Sequence, residues 1–194
     1  MKNKKILAAT LTGFILVSYL QAQLLITGVF DGPLSGGTPK GIELYATADI
    51  ADLSNYGVGS ANNGGGTDGS EFTLSGSATA GDYIYVVASG NDDEFTSFFG
   101  GSATFFTNVM LINGDDAIEL FSLAGEGPLV IDTFGDINVD GNGEAWEYLD
   151  GWAYRTGGTA GAFNVSDWSF SGANAWDGET TNAGATSVMP IGTY

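Results

Sequence analysis

The 194-residue chain has no cysteine and no histidine, and it has few cations: five lysines and arginines against 23 acidic residues, a formal charge of −18. Without cysteine there is no disulfide framework, thiolate metal site or lipid-bearing thiol. Without histidine, the Ser-His and Cys-His nucleophile pairs and the common zinc ligand sets are excluded. Any catalysis would have to rest on carboxylates. Three of the five cations, Lys2, Lys4 and Lys5, stand at the start, so the rest of the chain carries only Lys40 and Arg155. Such a surface repels phosphate backbones and anionic lipid, which rules out nucleic-acid binding by a basic patch. It suits multivalent cations, and it equally suits solubility in saline surroundings.

The three lysines precede an uncharged apolar run over 6–20, and Gln21-Ala22 then leads into Gln23. This reads as a secretory signal peptide over 1–22, cleaved after Ala22, although Leu20 stands where a small residue is usual. A membrane anchor is the alternative, but the run falls short of the roughly 20 residues that a bilayer crossing needs. The expectation is export to the periplasm, the cell surface or the medium. The mature domain would then cover 23–194 with no membrane span in it.

That domain is rich in Gly, Thr, Ser, Asp and Asn between short apolar runs, which points to an all-β fold with many turns. Strands are expected over 24–30, 41–45, 55–58, 71–74, 82–88, 117–123, 129–133 and 146–154. "GIELY" puts Ile42 and Leu44 on one face, and "AIELF" does the same for Ile118 and Leu120, as half-buried strands require. Strands of this number and spacing suggest a β-sandwich. One stretch departs from the pattern. In "NDDEFTSFF", Asn91 or Asp92 can cap a helix, acids fill its first turn, and Phe95, Phe98 and Phe99 follow at helical spacing. A short helix over 92–99, packed on the sandwich, is expected.

"DINVDGNGEAWE", residues 136–147, carries Asp136, Asn138, Asp140, Gly141 and Glu147 at the positions of an EF-hand calcium loop. Its flanks read as strands, so it is not an EF-hand. The ligand chemistry needs only oxygens at alternate positions and a turn at Gly141. The expected cofactor is one Ca²⁺, held by side chains of Asp136, Asn138 and Asp140, the carbonyl of Asn142, and Glu147 or Glu144. A hairpin turn rich in Asp, Asn and Gly would have the same composition.

Trp146, Tyr148, Trp152 and Tyr154 share one parity, either as half of a sandwich core or as a platform for stacking sugars. Asp150 shares that parity too. Arg155 has many acids to choose from, and a structural pair with a carboxylate competes with a role as an anion clamp. Asp92-Asp93-Glu94 suits a helix N-terminus. Asp115-Asp116 belongs to a turn before a strand, with Asn113-Gly114 supplying the positive φ. Either acidic cluster could instead hold a second cation.

"GIELYATADIADLSNYGV", "GDYIYVV" and "INGDDAIELFSLAGEGPLVIDTFGDI", in that order, resemble the lamin tail domain, an immunoglobulin-like β-sandwich of nuclear lamins and bacterial secreted proteins. The resemblance covers roughly residues 24–137. "VDGNGEAWEYLDGWAYR" and "WSFSGANAWDGETTNAGATSVMPIGTY" look like the ends of such modules in bacterial extracellular nucleases, where they accompany a catalytic domain. The resemblance implies an immunoglobulin-like sandwich, an accessory or binding role, and no catalytic residue. The expected function is thus a secreted, non-catalytic binding or surface-interaction module for a glycan or protein surface. The alternatives are a carboxylate-only hydrolase of polysaccharide and a structural surface or matrix protein.

Overall fold

A computed structural model describes residues 22–194, and all of the expected signal peptide except Ala22 lies outside the described residues. In chain order the elements are β1 (Leu24–Leu34), β2 (Thr38–Ala46), β3 (Tyr56–Ala61), β4 (Phe72–Thr73), β5 (Tyr83–Ala88) and α1 (Asp92–Phe99). They continue with β6 (Phe105–Thr107), β7 (Ala117–Ser122), β8 (Leu129–Phe134), β9 (Gly151–Arg155) and β10 (Trp168–Phe170). One sheet has the order β10-β9-β1-β2-β5-β6 and the other β4-β3-β7-β8. Pairing is antiparallel except between β5 and β6. The expected all-β sandwich with a single α-helix is thus the fold.

The larger sheet is covered on both faces, which explains why β1 is buried along most of its length instead of alternating. Its register slips between Ile26 and Gly28. This bulge shifts the parity of β1, so Leu24, Ile26 and Val29 face the sheet opposite while Phe30 faces away. Between the sheets Ile26, Ile42, Leu44, Val86, Val58, Ile118, Leu120 and Phe134 form the main core with Trp146, Tyr148 and Trp168. On the outer face Phe30, Val87, Trp152 and Tyr154 pack under Phe95 and Phe98 of α1 and under Trp176 and Met189 of the C-terminal segment. Fully burying one such large apolar side chain contributes about 1.5–3 kcal/mol, so this second core holds the segment down without any strand pairing.

The helix forms where its spacing predicts and stops at Gly100, whose φ of 77° closes it in a left-handed cap. Asn91 is its N-cap residue, but the side-chain oxygen accepts from the Lys40 backbone N–H and not from the helix.

Two expectations need correction. The strand expected over 146–154 is confined to Gly151–Arg155, because Asp150 takes a left-handed φ of 41° and breaks the extended run. The aromatic stripe is therefore divided: Trp146 and Tyr148 enter the main core, and Trp152 and Tyr154 the outer one. All four are core residues, and they share no face. The short strands β6 and β10 were not expected at all.

Candidate functional site

The strand directions gather the loops at two ends of the sandwich. The loops 35–37, 62–66, 108–116 and 135–150 lie at one end, with most of the acidic residues the sequence singles out. The loops 47–55 and 123–128 lie at the other, with 156–167.

At the acidic end the 136–147 loop folds on its own side chains. Asp136 Oδ1 accepts from Asn138 N at 2.9 Å, Asp140 Oδ1 from Asn142 N at 3.0 Å, and Glu147 Oε2 from Gly143 N at 3.0 Å. The first two are Asx-type turns, the local bonding that short acids favour. Asp136, Asn138, Asp140, Asn142 and Glu144 are exposed, and Glu147 is half-buried. The loop is seated from outside by Gly66 N donating to the Ile137 carbonyl and Gly141 N to the Asp115 carbonyl. Gly141 opens the expected turn, its carbonyl accepting from Glu144 N at 2.9 Å, but without a left-handed φ. A Cβ there would lie 2.6 Å from the Trp146 ring and 2.7 Å from the Asp115 carbonyl, so crowding requires the glycine.

Asp115 is the residue the loop motif missed. Its Oδ1 is buried without a hydrogen-bond partner. Burial pushes its carboxyl up, and the nearby charges of Asp116, Asp140 and Glu147 push the same way. The loop carboxylates and Asp115 thus feel one another across two separate segments. Among the described residues, no three acidic side chains come close enough together to hold a metal ion in this conformation.

The buried charges serve the framework. Arg155 Nη2 donates to both oxygens of Asp132 at 2.8 Å, its Nε to the Ile26 carbonyl at 2.7 Å, and its guanidinium lies 4.7 Å from the Trp168 ring centre. Asp132 also accepts from Ile26 N, at the β1 bulge, and from Gly161 N. The pair ties the two sheets together, the structural use expected for Arg155. Burial still pushes Asp132 up, against the pull of Arg155 and the two backbone N–H groups.

Glu43, on the outer face, accepts from Thr27 Oγ1 at 2.7 Å and Gly192 N at 2.6 Å. The hydroxyls of Tyr85 and Tyr154 also reach it, and burial raises its pKa. Near it the Tyr154 hydroxyl is pushed up to about 12, first by burial and then by the Glu43 charge.

The opposite end holds a cleft of about 670 Å³ between the margins of the two sheets. Leu25, Tyr56, Leu129 and Ile131 give it an apolar floor and wall, and Gln23, Thr47, Ser122, Thr159 and Tyr194 supply polar groups. Among the described residues, no acidic or basic side chain lines it. Beside it the edge strand β8 leaves Leu129 65% exposed and Val130 40% exposed. Sequence reasoning found β8 but not the cleft, which needs residues from both sheets and from a loop. No helix among the described residues is long and apolar enough to cross a membrane. No family model, no curated protein and no solved structure matches the chain.

Proposed function

We propose that the chain is a secreted, non-catalytic binding module of lamin-tail-domain type, taking a glycan or protein surface into the cleft beside β8. The observation that carries this reading is the cleft's lining. It offers apolar contact area and neutral hydrogen-bonding groups, the usual make-up of a recognition site. Glycoside hydrolysis would instead call for two carboxylates about 5–9.5 Å apart across an open cleft. The basic start followed by an uncharged apolar run supports export.

Calcium is proposed as a structural partner at the acidic end, through Asp136, Asn138, Asp140, Asn142 and Glu147. Each of the three carboxylates keeps an oxygen that no loop N–H occupies, and the loop would close around the ion from its present arrangement, in which no three described acidic side chains stand close enough to share one. Oxygen donors of this kind fit a hard cation.

The test is a glycan-array and pull-down screen with the mature protein, run beside Tyr56→Ala and Leu129→Asp variants that melt like the wild type. Binding that falls at least about tenfold in both variants supports the cleft, being a change of about 1.4 kcal/mol or more. Binding that both variants keep sinks it.

A further inference from the structure

Lys40, the single lysine of residues 22–194, faces Asp31 in the β1–β2 ladder. Its Nζ lies 2.6 Å from Asp31 Oδ1 and donates to Asn113 Oδ1 at 3.3 Å. The Asp31 side chain is 2% exposed and that of Lys40 11%. Gly37 closes over the pair so tightly that a Cβ there would come within 3.3 Å of Nζ. Asn113 is held from below: its N–H donates to Oδ2 of the buried Asp116, whose Oδ1 accepts from Asn63 N. The next residue, Gly114, has a φ of 81° and no room for a side chain against Leu149. An amine, a carboxamide and a carboxyl are thus fixed within hydrogen-bonding reach, brought from β1, β2 and the turn before β7. Charge balance explains Asp31 beside Lys40, but it does not explain the carboxamide held against the amine.

We propose that Lys40 and Asn113 join in an intramolecular isopeptide bond, with Asp31 as the proton carrier. Asp31 takes one proton from the Lys40 ammonium, and the neutral Nζ attacks Asn113 Cγ. The Nζ–Cγ bond forms as the carbonyl electron pair moves onto Oδ1. Asp31 hands its proton to Nδ2 and takes the second Nζ proton, the electron pair returns from Oδ1 as the Cγ–Nδ2 bond breaks, and the departing ammonia takes that second proton from Asp31. Lysine ammonium and asparagine amide are converted to a secondary amide and one ammonium ion. Asp31 is restored, and no oxidant or other reactant is consumed.

The surroundings suit each step. In a desolvated pocket a carboxylic acid gains on its carboxylate, because burial disfavours the ionic form. Burial, the first cause, pushes Asp31 up to about 6, and the Asp150 charge adds to this while Lys40 opposes it. That makes its carboxylate a better base than an exposed aspartate. Fixed placement supplies the rest, since an attack between groups held in contact avoids the entropy cost of encounter. Asn113 is exposed on its other side, which gives ammonia a way out. The product would tie β2 of the larger sheet to the turn entering β7 of the smaller one, a covalent cross-link in a chain without cysteine.

The experiment is intact mass spectrometry of the full purified chain, followed by trypsin digestion after denaturation. Lys40 and Arg155 are the only tryptic sites in residues 22–194. The expected result is a mass lower by one ammonia, with cleavage after Arg155 and none after Lys40. Cyclisation of Asn113 onto the Gly114 nitrogen would also release ammonia, but it leaves Lys40 cleavable and persists in Lys40→Arg. In Asn113→Ala the full mass should return with cleavage at Lys40. Asp31→Ala should slow closure at least about a hundredfold, the usual worth of a positioned proton carrier. Wild-type protein of full mass that trypsin cuts after Lys40 overturns the proposal, whether or not any variant folds. So does an ammonia loss that survives in Lys40→Arg.

Discussion

Replacing Arg155 with methionine keeps much of the side-chain volume and removes the charge between the sheets. The guanidinium gives up two bonds to Asp132, one to the Ile26 carbonyl, one to the Thr159 carbonyl and its position by the Trp168 ring. What remains is a carboxylate that is fully buried, with no cation beside it among the described residues. Breaking a buried pair from one side costs about 3–5 kcal/mol. For a domain of this size that lowers the melting temperature by about 6–20 °C. The assay is thermal unfolding followed by circular dichroism between pH 4.5 and 8. Burial already raises the Asp132 pKa, and Arg155 is the largest influence opposing it, so the variant's value rises further. A carboxyl whose folded pKa exceeds its unfolded value favours folding most below the unfolded value, and this is lost as pH rises through the folded one. The variant's deficit should therefore widen from acid to neutral pH. Adding Asp132→Asn should restore part of it at neutral pH, since the orphaned charge is gone while one side-chain oxygen still accepts a backbone N–H. A single variant that melts within about 2 °C of wild type at pH 7 would refute the claim that this pair joins the sheets.

Calcium should raise the melting temperature of the wild type relative to chelator, by about 2.7 kcal/mol of stability at a hundredfold excess over the dissociation constant. Asp136→Ala, Asp140→Ala and Asp115→Asn should each shrink that shift, and a wild-type midpoint indifferent to calcium leaves the loop as a turn alone. Glu43 has a folded pKa raised by burial, so its contribution is greatest below the ordinary glutamate value of 4.5 and declines as pH rises through the folded pKa. Glu43→Gln should accordingly show a flatter fall in denaturant midpoint from pH 4 to 7 than wild type, and parallel curves would contradict this. The indoles of Trp176 and Trp152 both donate to the Ser187 carbonyl, at 2.7 and 3.1 Å. Trp176→Ala, at a fully buried position, should cost about 3–5 kcal/mol in urea unfolding. A loss below about 1 kcal/mol would show that the C-terminal segment is not held by this core.

Local pattern was enough for much of the architecture. The alternation of Ile42 and Leu44, or Ile118 and Leu120, places strands on the main core, and the spacing of Phe95 and Phe98 locates α1. The three-residue strand β6 carries too short a pattern to register, and it pairs in parallel with β5 through a helix connection. Parity along 146–154 could not reveal the turn at Asp150, because any residue can interrupt a strand without altering its neighbours' identities. The outer core was invisible for a related reason: Trp176 and Met189 lie in a segment with neither strand nor α-helix, where no period exists to read. The constellations of chemical interest are the least local. Asp115 meets the fields of Asp140 and Glu147 only because Gly141 docks on the Asp115 carbonyl. Lys40 and Asp31 are hairpin neighbours, but Asn113 reaches them from the opposite sheet. The cleft joins Leu25 and Tyr56 to Leu129 and the 158–160 loop.

Retention and hydrolysis can be measured together on one panel of immobilised polysaccharides and extracellular proteins, using residues 23–194 of the wild type and of a Leu129→Asp variant of equal melting temperature. Leu129 is 65% exposed at the cleft margin, so the charge alters the binding face with little effect on the core. A binding module predicts that the wild type is retained by at least one member, that Leu129→Asp loses at least about tenfold in affinity for it, and that no reducing ends appear. Release of reducing ends by the wild type, or equal retention of the two proteins, would contradict the account.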